Sequence, residues 1–164
     1  MTGIYLLLGS NIDNRLKNLE RACELLIANG LAIRNESKVY ETAAWGIEDQ
    51  DSFLNQVIEV ETAKSPQRLL FICQMIEKEM GRVKYEKWGS RLIDIDILYF
   101  GDVEFAKEDL IIPHPEIQNR RFTLVPMAEI APELEHPVSA KNQIELLEEC
   151  KDELEVNEYS VLQY

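Results

Sequence analysis

The sequence predicts an α+β fold, a ferredoxin-like β-α-β-β-α-β core with an antiparallel sheet, helices on one face and further helices toward the C-terminus. Three observations predict it. Apolar spacing switches between a period of two and a period near 3.6 along the chain, strand-like and helix-like segments alternate in that order, and the helical segments are bracketed by capping residues and glycines. A 164-residue chain with 46% hydrophobic content is enough for one core, so a single domain over residues 1–164 is expected.

Gly3 to Leu8 is a short apolar run that ends at Gly9-Ser10-Asn11, which reads as a buried strand and a turn. Helical spacing follows in Leu16, Leu19, Cys23 and Leu26, with Asp13 as the expected N-cap and Gly30 as the stop. Leu31 to Glu41 reads as extended. Phe53 to Thr62 alternates Leu54, Ile58 and Val60 against Asn55, Glu59 and Glu61, giving a second strand across a loop from Thr42 to Ser52. Ser65 caps a second helix with Pro66 at its first position; Leu69, Cys73, Ile76 and Met80 form its apolar face and Gly81 stops it. After a polar segment from Arg82 to Ser90, Leu92 to Phe100 returns to strand. Asn119 to Ala131 and Gln143 to Cys150 complete the elements as helices, and the tail beyond Lys151 is expected to add an edge strand.

A net charge of −13 opposes long-range attraction to nucleic acid or to an anionic membrane, so neither is an expected partner. No apolar run reaches the roughly 20 residues of a membrane span and no signal-peptide pattern opens the chain, which leads us to expect a cytosolic protein, with a monomer favoured. Cys23, Cys73 and Cys150 are odd in number and widely spaced, and read as reduced packing residues. Positive charge is concentrated: Arg82, Lys84, Lys87 and Arg91 fall within ten residues, and Arg120 and Arg121 follow His114. Such a cluster is either a local anion site or a solvated basic loop.

The sharpest chemical feature is Arg91-Leu-Ile-Asp94-Ile-Asp96-Ile-Leu-Tyr-Phe100. On a strand, Asp94 and Asp96 project from one face with Cα atoms roughly 6.5–7 Å apart, while Ile93, Ile95 and Ile97 face the other way. Two carboxylates in an apolar strand need neutralising, either by magnesium ions, two of which about 3.5–4 Å apart suit this spacing, or by Arg and Lys partners on an exposed face. The glycine-flanked basic loop just before the strand offers fixed cations for phosphate oxygens, with arginine able to grip them in fork geometry. Trp88 within that loop is either an apolar anchor or a stacking surface. There is no Gly-x-x-x-x-Gly-Lys-Ser/Thr, so nucleotide chemistry here does not use a P-loop. His114, between Pro113 and Pro115, is a structural residue or a phosphate ligand. Phe53 and Asn55 share a strand face, forming either a platform with an amide for a planar heterocycle or a core aromatic beside a satisfied amide.

These motifs occur together and in order: Leu8-Gly9-Ser10-Asn11, Tyr40-Glu-Thr42, Asp49-Gln50 through Phe53-Leu-Asn55, Gly81-Arg82, and Trp88-Gly89-x-Arg91. The Leu-Ile-Asp-Ile-Asp-Ile strand, Pro113-His114, Asn119-Arg120-x-Phe122 and Glu129-Ile-Ala-Pro132 complete the set. Along nearly the whole chain to about Glu135 it resembles the 6-hydroxymethyl-7,8-dihydropterin pyrophosphokinase family. The resemblance implies transfer of the pyrophosphoryl group of ATP to the pterin hydroxymethyl group in folate synthesis, with AMP as the second product.

It also implies site residues. Asp94 and Asp96 would hold two magnesium ions, and Arg82 and Arg91 would join them as catalytic groups on a mobile loop that closes over the reactants. Phe53 and Phe122 would sandwich the pterin, with Asn55 and groups near Thr42, Ala43 and Trp45 reading its edge. Gln74, Glu77, Arg82, Lys84, Trp88, Arg91, Ile97, His114 and Arg120 would border ATP. Ala43 and Ala44 stand where the family commonly has proline, Lys84 where a second arginine often lies, and Pro115 where a tyrosine can contribute to ATP binding. Two rival functions are a nucleotidyltransferase, which would release pyrophosphate, and a noncatalytic ligand-binding module, which would turn nothing over.

Overall fold

The computed structural model describes residues 3–43, 51–81 and 92–160. Elements follow in the order β1 (Ile4–Ser10), α1 (Arg15–Ala28), β2 (Ala32–Glu36), β3 (Tyr40–Thr42), β4 (Phe53–Glu61), α2 (Pro66–Glu79) and β5 (Asp94–Phe100). A hairpin of β6 (Phe105–Lys107) and β7 (Leu110–Ile112), a 3-10 turn at Ile117–Asn119, α3 (Arg121–Ile130), α4 (Gln143–Glu149) and β8 (Val156–Glu158) complete them. The sheet runs β5-β1-β4-β3-β8, with β2 also paired to β4, and each of these pairings is antiparallel. This is the predicted ferredoxin-like order.

Strand alternation divides the interior into two clusters. Ile4, Leu6 and Leu8 of β1, Leu54, Ile58 and Val60 of β4, and Ile95 and Ile97 of β5 meet α1 and α2. Their neighbours Tyr5, Leu7, Val57, Leu98 and Tyr99 face the opposite way and meet Leu124 and Met127 of α3 and Leu146 of α4. The core helices thus cover one face as expected, and the C-terminal helices cover the other. Each fully buried Leu or Ile contributes about 1.5–3 kcal/mol, which makes β1, buried at all seven residues, the main determinant of register.

Local chemistry explains where element ends depart from expectation. Asn14, not Asp13, caps α1: its side chain accepts the Lys17 N–H at 3.1 Å, while Asp13 takes a left-handed conformation with φ 56°. Ser65 caps α2 with Pro66 behind it, and glycines with φ of +91° and +96° follow the helices at Gly30 and Gly81. β1 continues through Gly9 and Ser10 rather than turning there. β5 begins at Asp94 rather than Leu92. The expected strand over Leu31 to Glu41 is two strands, because Ser37 breaks the ladder: its hydroxyl accepts the Val57 N–H at 3.0 Å and donates to the Lys38 carbonyl at 2.7 Å. The C-terminal tail does add an edge strand, at Val156–Glu158 against β3.

Cys23, Cys73 and Cys150 are free thiols. Burial pushes Cys23 up to about 11 and raises Cys73 further, as expected of inert packing residues. Among the described residues no helix is long and apolar enough to cross a membrane.

Candidate active site

The site grows from one row of the sheet. In the antiparallel register Asn55 of β4 stands opposite Gly9 of β1, and Gly9 stands opposite Asp94 of β5. Opposed residues share a face, so Asn55, Gly9 and Asp94 point the same way. One step along, Val57, Leu7 and Asp96 share it too. This is the face that α3 and α4 cover farther on, and its apolar rows give way to polar ones toward Asn55 and Asp94. With strands about 4.8 Å apart, the amide-bearing and carboxylate-bearing Cα atoms are separated by about 10 Å across a glycine floor.

Gly9 is required there. A Cβ on it would lie 2.8 Å from Asn55 Oδ1 and 3.7 Å from Cδ1 of Phe53, so any side chain would enter the space those two groups occupy. The sequence placed Gly9 in a turn and missed this role; the signal was a glycine closing an otherwise unbroken apolar strand. Asn55 is 4% exposed, and its Nδ2 donates to Thr42 Oγ1 at 3.0 Å. That bond fixes the amide orientation and leaves Oδ1 above Gly9. Phe53 stands opposite Thr42 in the β3–β4 ladder, and Ala43 follows, exposed. Phe122, in the first turn of α3, packs against the cluster on the same sheet face. Arg120 lies beside it, its guanidinium 5.7 Å from the ring centre.

A second group surrounds the outer edge of β5. Glu77 of α2, only 6% exposed, accepts the Ile95 N–H at 3.1 Å and so covers the strand edge between the two aspartates. Gln74 lies one turn earlier on α2 and is exposed. His114 is tied to the same strand by its backbone N–H, which donates to the Leu98 carbonyl at 2.9 Å. Its Nδ1 accepts the Glu116 N–H at 3.1 Å, so the neutral ring carries its proton on Nε2. Burial lowers its pKa from 6.5 to about 4, Arg120 adds to that, and Glu116 works against it. The ring is therefore neutral at pH 7 and can donate through Nε2.

The structure thus brings Thr42, Phe53, Asn55, Phe122, Asp94 and Asp96 to one face, and Gln74, Glu77, His114 and Arg120 to the region of β5. Ile97 differs: its side chain is buried among the α1 and α2 contacts, opposite the aspartates. Trp45, Arg82, Lys84, Trp88 and Arg91 lie outside the described residues. A cavity of about 980 Å³ bounded by Phe105, Ile112, His114, Asn119, His136 and Leu146 shares only His114 with the predicted set. The row of amide, glycine and carboxylate is the better candidate, because its polar groups converge across a prepared gap. Among the described residues no three carboxylate, imidazole or thiolate groups converge on a metal position. Asp94 and Asp96 fit magnesium, which takes one or two carboxylates and completes its shell from water and substrate phosphate.

Comparison with known proteins identifies the family. Residues 5–132 match the family model described as 7,8-dihydro-6-hydroxymethylpterin-pyrophosphokinase (HPPK). The chain is 44% identical over 135 residues to a 2-amino-4-hydroxy-6-hydroxymethyldihydropteridine pyrophosphokinase of Methylorubrum extorquens, covering 82% of this chain and 85% of that protein. It is 39% identical over 157 residues to the enzyme of the same name from Bacillus subtilis, covering 94% of each. It also matches the folic acid synthesis protein fol1 of Pneumocystis carinii at 40% identity over 149 residues, 91% of this chain but only 20% of that longer protein. In fold it resembles the Plasmodium falciparum HPPK-DHPS crystal structure, with a TM-score of 0.69 and 19% identity over 90% of this chain and 43% of that one. The chain belongs to the 7,8-dihydro-6-hydroxymethylpterin-pyrophosphokinase family, the ATP-dependent diphosphotransferases that convert hydroxymethyldihydropterin to its pyrophosphate in folate synthesis.

Proposed function

We propose that this chain catalyses the family reaction at the Asn55–Gly9–Asp94 row, with the pterin laid over Gly9 and the triphosphate of ATP meeting Asp94 and Asp96. The observation that carries the assignment is that register: an oriented amide and two carboxylates share one face across a glycine. Asn55 Oδ1 would accept from the ring edge, and Phe53 and Phe122 would flank the ring plane. The hydroxymethyl oxygen forms its new bond to the β-phosphorus, the bond from that phosphorus to the α,β-bridging oxygen breaks, AMP leaves, and the hydroxyl proton is lost.

Asp94 and Asp96 would hold two magnesium ions, which when bound neutralise phosphate charge. His114 would donate from Nε2 to a phosphate oxygen without adding net charge, and Arg120 would supply a fixed positive one. Arg82, Lys84 and Arg91 belong to the proposal on sequence grounds. Positioning and charge neutralisation would supply most of the acceleration, as in phosphoryl transfer generally. The proposal extends to a cytosolic monomer that uses neither nucleic acid nor membrane; the charge of −13 supports the last two, since it repels polyanions.

The test is the nucleotide product. With ATP, magnesium and 6-hydroxymethyl-7,8-dihydropterin, AMP and pterin pyrophosphate should appear in equal amounts without free pyrophosphate. Pyrophosphate release would point to a nucleotidyltransferase, and absence of turnover to a binding module.

A further inference from the structure

Arg15, the first residue of α1, lies at a junction that the reaction does not explain. Its Nη1 donates to Glu41 Oε2 at 2.7 Å, to the Ser52 carbonyl at 2.9 Å and to Ser52 Oγ at 3.0 Å. Ser52 Oγ in turn donates to Glu41 Oε2 at 2.9 Å. The Arg15 hydrogen bond holds the Glu41 carboxyl below the usual carboxylate range, with Ser52 helping against the effect of burial. Glu41 immediately precedes Thr42, and Ser52 immediately precedes Phe53. One guanidinium therefore ties together the two strand ends that bear Thr42 and Phe53, the opposed pair beside Asn55.

The same guanidinium lies 5.6 Å from the centre of the Tyr159 ring, and Tyr159 donates its backbone N–H to the Val39 carbonyl at 2.8 Å. β8 pairs with β3 at Tyr40, Glu41 and Thr42. β3 has only three residues, and such a strand has little register of its own. From its other end Glu129 of α3 accepts the Lys38 N–H and, at 2.6 Å, the Tyr40 hydroxyl. Tyr159 and β8 lie beyond residue 132, where the family match ends.

We propose that Arg15 is a positioning residue for pterin recognition: the Arg15–Glu41–Ser52 junction, backed by the C-terminal strand through Tyr159, sets the spacing of Thr42 and Phe53 and thereby controls pterin affinity. Arg15 itself does not touch the pterin. The Arg15–Glu41 pair is only partly buried and as an ion pair contributes little to stability, but a guanidinium bridging three acceptors fixes geometry that a lysine ammonium does not. Thr42 orients the Asn55 amide, so a shift of β3 reaches the ring-reading group directly, whereas Asp94 and Asp96 lie three strands away, across β4 and β1. The proposal rests on the function assigned above.

The test uses the full chain and four variants: Arg15→Ala, Arg15→Lys, Ser52→Ala and the Arg15→Ala/Ser52→Ala double. Calorimetry gives dissociation constants for the dihydropterin in the presence of α,β-methylene ATP, and for that analogue alone; steady-state assays give KM for each substrate and kcat. Arg15→Ala should weaken pterin binding about tenfold or more, Arg15→Lys less, and Ser52→Ala about threefold, with the ATP analogue constant within about twofold throughout. The double variant should be no worse than about twofold beyond Arg15→Ala, because both changes dismantle one junction. Pterin and ATP constants rising together, or an unchanged pterin constant in folded Arg15→Lys and Ser52→Ala proteins, would overturn the clamp while the function stands. A wild-type protein that neither binds nor converts the pterin would overturn both.

Discussion

Asn55 shows how one side chain can carry specificity only because its neighbours leave it a single orientation. Thr42 Oγ1 takes one amide hydrogen and Gly9 leaves room for Oδ1, so the carbonyl oxygen has a fixed place above the sheet. Asn55→Ala should cost about 1–3 kcal/mol of pterin binding, since it leaves ring polar groups unpaired, with little effect on ATP alone. Calorimetry with an ATP analogue present measures this, and unchanged pterin affinity would place the ring elsewhere. Gly9→Ala should act on the same pocket from below. Its methyl would meet Oδ1 at 2.8 Å, and because Asn55 is buried and tied to Thr42 the clash costs about 1–3 kcal/mol, shared between folding and pterin affinity. A variant matching wild type in both would show that the floor is not tight. Phe53, Asn55, Asp94 and Asp96 were legible in the sequence because a period of two states which residues share a face. Gly9 was not, since its constraint comes from a residue on another strand.

β5 combines two demands that alternation keeps apart. Ile95, Ile97 and Phe100 bury against the α1 and α2 layer, Leu98 and Tyr99 bury on the carboxylates' face farther along, and Glu77 accepts the N–H of Ile95, so apolar packing on both faces holds the strand. Asp94→Ala and Asp96→Ala should therefore each lower kcat at least about 1000-fold while moving Tm by no more than a few degrees. Single-turnover kinetics beside thermal melts separates the two effects; near-normal turnover in either variant would remove the metal assignment. Element order and type were readable because the long periodic segments, α1, α2, β4 and β5, report burial. Their ends and the short pieces were less so. Asp13 and Asn14 are both good caps by type, and only the backbone decides between them. The break at Ser37 depends on a hydroxyl bonding across to Val57, and the β6–β7 hairpin on just three pairs, neither of which leaves a periodic trace.

At the scale of the molecule, folding buries titratable groups as well as apolar ones, and that couples stability to pH. Burial lowers the pKa of His114 from 6.5 to about 4, assisted by Arg120 and opposed by Glu116; burial also lowers His136, against Glu104. Between those two pH values the unfolded chain takes up a proton at His114 that the folded chain refuses. The contribution of His114 is thus full above pH 6.5, declines as pH falls, and is exhausted below about pH 4. By about pH 5 the loss is on the order of 2 kcal/mol. Acidification also protonates carboxylates of a chain whose net charge is −13, which relieves self-repulsion and works in the opposite direction. The total pH profile therefore does not isolate the histidine, but a comparison with His114→Gln does. That substitution removes the titration and leaves the carboxylates in place. Urea unfolding of both proteins at about pH 7.5, 6 and 5 should show the wild type losing on the order of 2 kcal/mol relative to the variant between the first and last conditions, whatever their absolute difference. If the difference between the two proteins stays constant across that window, His114 binds its proton equally in both states. The enclosed neutral imidazole assigned to phosphate contact would then be wrong.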